Sequence, residues 1–399
     1  MHLAWARVRY AGWLAIVAVS CLVLAAALAK WNGERLAGRA AGGEFGARGA
    51  VAGVQAVPDW QAVPEMTEIL GSDQTKRLEA TRKLAERVGV EQALEIIERS
   101  PLPHTGEGHL AVHQIGFHAF KLYGPESILH CKDYFLYACY HGVLIEAASN
   151  QGLTMVAAMA DKCKGSAGRY FQCAHAVGHS LLAMWNYDLP EALADCDEVF
   201  EPETDFPGAL ASCHNGAFME NLFGVHDWGT EKEKKRDWLK DEDPYYPCTA
   251  FEQKYQQGCW LNQAARIYQM HNGNVDKTRD VCEKIGNRQY TEWCIDNLAR
   301  QIHPLTEGSV EKVYQLCQQV GPYWYEKCVV VNAGSYYSVG DPQAAITVCR
   351  GQLSPPAKAD CYQTIMGQLV ADINRDGPAK EQLCQQMDPG WRDNCLQQI

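Results

Sequence analysis

Sixteen of the 17 cysteines fall into eight closely spaced pairs, and that spacing constrains the fold more than any other feature of the chain. The pairs are Cys131/Cys139, Cys163/Cys173, Cys196/Cys213, Cys248/Cys259, Cys282/Cys294, Cys317/Cys328, Cys349/Cys361 and Cys384/Cys395. Their second members step along the chain by 34, 40, 46, 35, 34, 33 and 34 residues. A period near 34 is the length of one helical hairpin, whose two helices bury their apolar faces only by stacking on neighbouring hairpins. The first Cys of most units closes an amphipathic stretch, as in DLPEALADC ending at Cys196 and VEKVYQLC ending at Cys317. The second opens another, as in CIDNLARQI from Cys294. Apolar residues three and four apart mark both as helices, here A and B. Asp188, Asn274 or Asp276, and Asp341 precede A helices as N-caps, with Pro190 and Pro342 in the first turn. No hairpin-turn or alternating strand pattern recurs. The spacing thus predicts an all-α solenoid of about eight to nine antiparallel hairpins, stapled by sequential disulfides from the end of A to the start of B. Each staple closes a loop of about ten residues and removes about 3 kcal/mol of unfolded-state freedom.

The stretch Tyr336-Tyr337-Ser338-Val339-Gly340-Asp341-Pro342-Gln343-Ala344-Ala345 is similar to the Y-x-x-G…A pattern of Sel1-type repeats. Across about residues 85 to 399 the layout resembles the disulfide-bridged Sel1-like and tetratricopeptide-like helical repeat proteins. That resemblance implies a protein-binding scaffold.

The N-terminus bears on the compartment. Tyr10 to Ala29 is a 20-residue stretch without charge, preceded by Arg7 and Arg9, and is long enough to span a bilayer. Ala27-Leu28-Ala29 is also a cleavage signal, so residues 1–29 read either as a removed signal peptide or as a single membrane anchor through residues 10–29. A lipid anchor at Cys21 matches its usual signal poorly. Either of the first two readings exports the rest of the chain, to a periplasmic or extracellular location, and an even cysteine number there favours disulfides over thiols. Residues 30–60 are rich in Gly and Ala without periodicity, the composition of a flexible spacer. The net charge of -12 and the absence of a basic run argue against nucleic acid as a partner. The remainder divides into His-rich repeats (61–225), a charged insert (226–247) and C-terminal repeats (248–399). Insertions between repeats often serve function; this insert reads as a partner-binding loop or as a solvated excursion.

Histidines are concentrated: ten of 13 lie between His104 and His226. With the B helices aligned on their Cys, His141 and His175 sit two residues after it, and His113 takes that place where Ala111 replaces Cys. At about 100° per residue, positions two and six after the Cys point about 200° and 240° from the disulfide and share a face. His113, His141, His175 and His179 therefore form a stripe. His109/His113 and His175/His179 are also i, i+4 pairs, which place two imidazoles side by side as a transition metal requires. His118, Glu146 and Glu220 lie seven after the Cys position and should turn inward, and His214 lies one after. Gly142, Gly178 and Gly216 read either as sites of close helix packing or as room for a ligand.

The chain has no C-x-x-C-H, which excludes covalent c-type haem, and no C-x-x-C redox pair. It also lacks G-x-S-x-G, H-E-x-x-H, a phosphate loop and a dinucleotide fingerprint. Two functions stay open. One is a site for zinc, copper, iron or manganese drawn from His109, His113, His118, His141, His175, His179 and His214, with Glu146 and Glu220 as candidate catalytic groups. The other is a metal-free scaffold for a protein partner at the membrane surface.

Overall fold

The computed structural model describes residues 57–164, 167–200, 208–224, 237–372 and 374–399. The expected signal or anchor and nearly all of the spacer lie outside the described residues, as do 201–207 and 225–236. Among the described residues there is no strand, and no helix is long and apolar enough to cross a membrane.

The described residues form 17 α-helices arranged as hairpins. The chain enters through α1 (Met66–Ile69) and α2 (Gln74–Val88), then forms an unstapled hairpin of α3 (Val90–Glu98) and α4 (Glu107–Tyr123). Eight stapled units come next. In the first, a 3-10 turn, Gly124–His130, stands in for helix A before α5 (Ala138–Cys163). Helix α5 is itself two helices run together, because Gly152 breaks it with φ 69° and ψ -165°. Its second half is helix A for α6 (Ala167–Met184). Beyond these lie α7 (Leu189–Val199) with α8 (Ala209–Phe223), and α9 (Gln256–Met270), whose partner segment carries the insert. The last four units are α10 (Val275–Glu283) with α11 (Arg288–Ile302), α12 (Val310–Cys317) with α13 (Tyr325–Ser338), α14 (Pro342–Cys349) with α15 (Pro355–Ala371), and α16 (Gly377–Cys384) with α17 (Pro389–Gln398).

The disulfides join the pairs read from the sequence: Cys131–Cys139, Cys163–Cys173, Cys196–Cys213, Cys248–Cys259, Cys282–Cys294, Cys317–Cys328, Cys349–Cys361 and Cys384–Cys395, with Cα atoms 5.5 to 6.3 Å apart. The first cysteine does close helix A, for Cys163, Cys317, Cys349 and Cys384 are each the last residue of their helix. The second cysteine opens helix B in the first unit, where Cys139 is the second residue of α5, but not in most of the others. Cys173, Cys294, Cys361 and Cys395 lie well inside helices that begin at Ala167, Arg288, Pro355 and Pro389, and Cys328 lies inside one that begins at Tyr325. The caps explain the earlier starts. The Asn287 side chain accepts from the Tyr290 amide, and that of Ser354 from the Ala357 amide, so each helix is nucleated a turn or more before its sulfur. The rotational frame counted from the Cys is unaffected, because these residues are helical on both sides of it.

Every bonded sulfur belongs to a buried residue. The staples therefore replace apolar volume in thin two-helix layers as well as closing loops. Asn274 and Asp341 accept hydrogen bonds from the first turns of α10 and α14, as N-caps do. Gly340, in the stretch that resembles Sel1 repeats, follows α13 with φ 92°, a conformation that favours glycine. The described part of the insert is solvated at Asp237 and Lys240 to Glu242 and packed at its C-terminal end. Gln263 of α9 donates to the carbonyls of Pro244 and Tyr246, and Trp238 stacks on Tyr246 with centroids 6.0 Å apart.

The B helices stack in a row, and two of their crossings are unusually close. Gly116 of α4 meets Gly142 of α5: a Cβ on the first would lie 2.3 Å from the Cys139 carbonyl oxygen, and on the second 2.2 Å from that of His113. Gly178 of α6 and Gly216 of α8 repeat this arrangement, with 2.0 Å to Cys213 and 2.0 Å to His175. Backbone stands against backbone at both crossings, so these glycines serve close packing. The first crossing joins α4 and α5, two of the three helices that carry the histidine row, and the second joins the third, α6, to α8.

The superhelix also curls back on itself. Helix α15 touches α6, the Asp133 amide donates to Asn374 Oδ1 at 3.2 Å, and Gly340 lies against His104. At this junction the carboxyl of Glu98 is pushed up to about 7, because burial disfavours its charge, Glu95 repels it and Arg375 offsets only part of both. His104 Nε2 stands 3.5 Å from it.

These contacts carry two testable consequences. Gly178→Ala should cost about 1–3 kcal/mol by forcing α6 and α8 apart; an unshifted denaturant midpoint would contradict the close-crossing account. A carboxyl with its folded pKa raised binds an extra proton in the folded state, so stability falls as pH rises from about 4.5 to about 7 and then levels off. Urea unfolding at several pH values should show Glu98→Gln losing less stability over that window than the parent, by up to about 3 kcal/mol. Parallel pH profiles would show that Glu98 is not the responsible group.

Candidate metal centre

Five of the seven histidines singled out above meet in one row. His109 and His113 come from α4, His141 from α5, and His175 and His179 from α6. They make two groups of three, His109/His113/His141 and His141/His175/His179, each with its candidate ligand nitrogens within 4.8 Å of one another. His141 belongs to both. Within the first group, His109 Nε2 lies 3.0 Å from His113 Nε2 and 3.2 Å from His141 Nδ1. Within the second, His179 Nε2 lies 3.1 Å from His175 Nε2. Metal–nitrogen bonds of about 2.0–2.1 Å in a tetrahedron put ligand nitrogens about 3.3 Å apart, close to these spacings. His113, His141 and His179 are buried, whereas His109 and His175 are half-buried, so the row is reached past those two.

The outer ring nitrogens are held by groups behind them. His109 Nδ1 is 2.7 Å from the carbonyl oxygen of Phe135, which can only accept, so the proton of the neutral ring sits on Nδ1 and Nε2 carries a lone pair. His179 Nδ1 is 3.0 Å from Glu220 Oε2, and the other carboxylate oxygen accepts from the Tyr187 hydroxyl at 2.5 Å. The same tautomer results for His179. Metal-ligating histidines commonly donate their second ring N–H in this way to a carbonyl or carboxylate. Glu220 is wholly buried, so its carboxylate depends on such donors to offset lost hydration.

Phe135 and Tyr187, the residue that bonds Glu220, both sit in unusual backbone. Phe135, Leu136 and Tyr137 have φ of 51°, 52° and 65°, and Asn186 and Tyr187 have 52° and 68°. Left-handed conformations cost non-glycine residues about 1–3 kcal/mol each and persist where surrounding structure enforces them, often at functional sites. One such segment backs each end of the row.

The other candidates lie elsewhere. His118 follows His113 by five residues, about 140° further round α4, and is half-buried near Glu86 and Arg82 of α2. Burial holds its imidazole below the usual range. Glu146 stands in the same relation to His141 and lies 3.7 Å from Lys121. His214 misses the stripe by one position, where Asn215 stands. It forms its own network: His214 Nε2 is 2.9 Å from Asp197 Oδ1, and Lys254 and Tyr255 donate to Oδ2 at 2.5 and 2.8 Å. Burial works against the charge on Asp197, but bonds from Lys254, Tyr255 and His214 outweigh it and hold the carboxyl below the usual range. Burial also lowers His214, against the pull of Asp197.

Phe135, Tyr187 and Asp197 were not among the sequence candidates. A backbone carbonyl carries no residue signature, and Tyr187 and Asp197 reach their partners across 33 and 17 residues. Comparison with protein-family models, curated proteins and solved structures finds no match to this chain. The architecture is that of a disulfide-stapled helical repeat: helical hairpins, a period near 34 and eight staples.

Proposed function

We propose that this is an exported helical repeat protein that binds a first-row transition-metal ion in its histidine row. The observation that carries the reading is the orientation of the row's two ends: Phe135 and Glu220 engage Nδ1 of His109 and His179, directing each Nε2 to its i, i+4 neighbour. An all-imidazole donor set suits zinc, copper or iron better than manganese, which prefers oxygen ligands. Three nitrogens leave a fourth tetrahedral position for water or another ligand. Glu220 is a positioning residue here, since it acts on the row through His179. Eight disulfides support an oxidising, periplasmic or extracellular location, where such a protein would compete for scarce metal.

A second reading, a metal-free binding scaffold, draws support from the C-terminal half. A cavity of about 380 Å³ there is lined by Tyr245, Phe251, Trp260 and Tyr290, aromatic groups of the kind that anchor partners. In that case the row is a chain of N–H···N hydrogen bonds.

The two readings part on metal content. Untagged protein purified without chelator should carry zinc, copper or iron by elemental mass spectrometry, and His175→Ala/His179→Ala should lose part of it while keeping its helical circular dichroism. Glu220→Gln should keep the fold and weaken metal affinity about 10–100-fold. Wild-type protein that remains metal-free after exposure to zinc and copper salts would leave the scaffold reading standing.

A further inference from the structure

We infer that His141 is a bridging ligand and that the row holds two metal ions at once. This rests on the metal reading above and goes beyond it in number and linkage.

The row is built symmetrically about His141. On one side stands the i, i+4 pair His109/His113, with Nδ1 of His109 anchored by Phe135; on the other stands His175/His179, with Nδ1 of His179 anchored by Glu220. Each group offers an i, i+4 pair with one anchored imidazole, so the question is whether the shared residue makes the two compete. Imidazole has two ring nitrogens aimed in different directions, so it can serve both. His141 Nδ1 is turned toward the first group, 3.2 Å from His109 Nε2. Its Nε2 is buried, and the ring lies with its centroid 4.8 Å from that of His179 and 5.9 Å from that of His175. With Nδ1 on one ion, Nε2 is the nitrogen left to join His175 and His179 around the other.

The charge is compensated in part. A neutral imidazole carries one ring proton, and binding a metal at both nitrogens replaces that proton, which leaves to solvent; no electron moves. The resulting imidazolate, together with the buried Glu220 carboxylate behind His179, places two negative charges against two divalent cations. Buried cations require such compensation. The fourth position of each ion remains for water or a small ligand reached past His109 and His175.

Copper is the probe, because two Cu(II) ions joined by one imidazolate couple their spins. The full-length, untagged protein with disulfides intact is titrated with Cu(II), and bound metal is counted by elemental analysis alongside electron paramagnetic resonance. Two copper ions per chain with a resonance well below that of two isolated ions is the expected result. His175→Ala/His179→Ala should then keep one ion with its full resonance, and so should His109→Ala/His113→Ala. His141→Ala should lose the coupling, with circular dichroism reporting that each variant is folded. A single ion per wild-type chain, or two with full uncoupled intensity, would overturn the bridge while leaving metal binding intact. No bound copper at all would overturn the metal reading and the bridge with it.

Discussion

Direct backbone contact between successive B helices is the constraint on which the site depends. His109 of α4 meets His141 of α5 across one close crossing, and His179 of α6 meets Glu220 of α8 across the other. Gly116 with Gly142 and Gly178 with Gly216 permit that approach, at the cost of the flexibility that glycine brings to a helix. Both crossings fall within the His-rich half. The last four stapled units keep the same hairpin but carry other residues in the row, such as Asp296 and Val330, and their interior is aliphatic and aromatic. One repeat thus carries a histidine row in its first half and other residues at the same positions in its second, by changing a few positions per unit.

The staples and the crossings divide the work of stabilisation. A two-helix layer is too thin to bury much apolar area by itself. Disulfides fix the two helices within each layer, while glycine contacts and hydrogen bonds such as that of Asn332 to the Ala299 carbonyl join one layer to the next. The junction of Glu98, His104 and Gly340 adds a constraint of another order, because it links units far apart in the chain.

Much of the architecture was legible in the cysteine spacing, since a short disulfide ties the end of one helix to an early turn of the next and so reports the hairpin directly. Where helix B begins was not legible from the Cys, because caps such as Asn287 and Ser354 set the start and the sulfur only marks a buried position further in. The stripe formed by His113, His141, His175 and His179 was legible because the Cys supplied a rotational frame. That frame misled where it was read without the neighbouring helices. Glu220 turned inward against His179, but His118 and Glu146, at the same place in their units, remained half-buried beside Glu86 and Lys121. What surrounds a position depends on the repeats stacked above and below, and those differ along the row. The support behind His109 and the Tyr187 hydroxyl behind Glu220 were illegible because they arise from left-handed turns at 135–137 and 186–187, formed by Phe, Leu, Tyr and Asn with no glycine to signal them.

The short reach of the disulfides bears on how such a chain matures. Every bond spans 8 to 17 residues, and none links one hairpin to another. As the polypeptide emerges into an oxidising compartment, each hairpin can close its own bond before the next has appeared. Among the sixteen paired cysteines, the nearest neighbour in sequence is always the correct partner, which leaves little opportunity for mispairing. Only the return contact between the final units and the first has to wait for the whole chain.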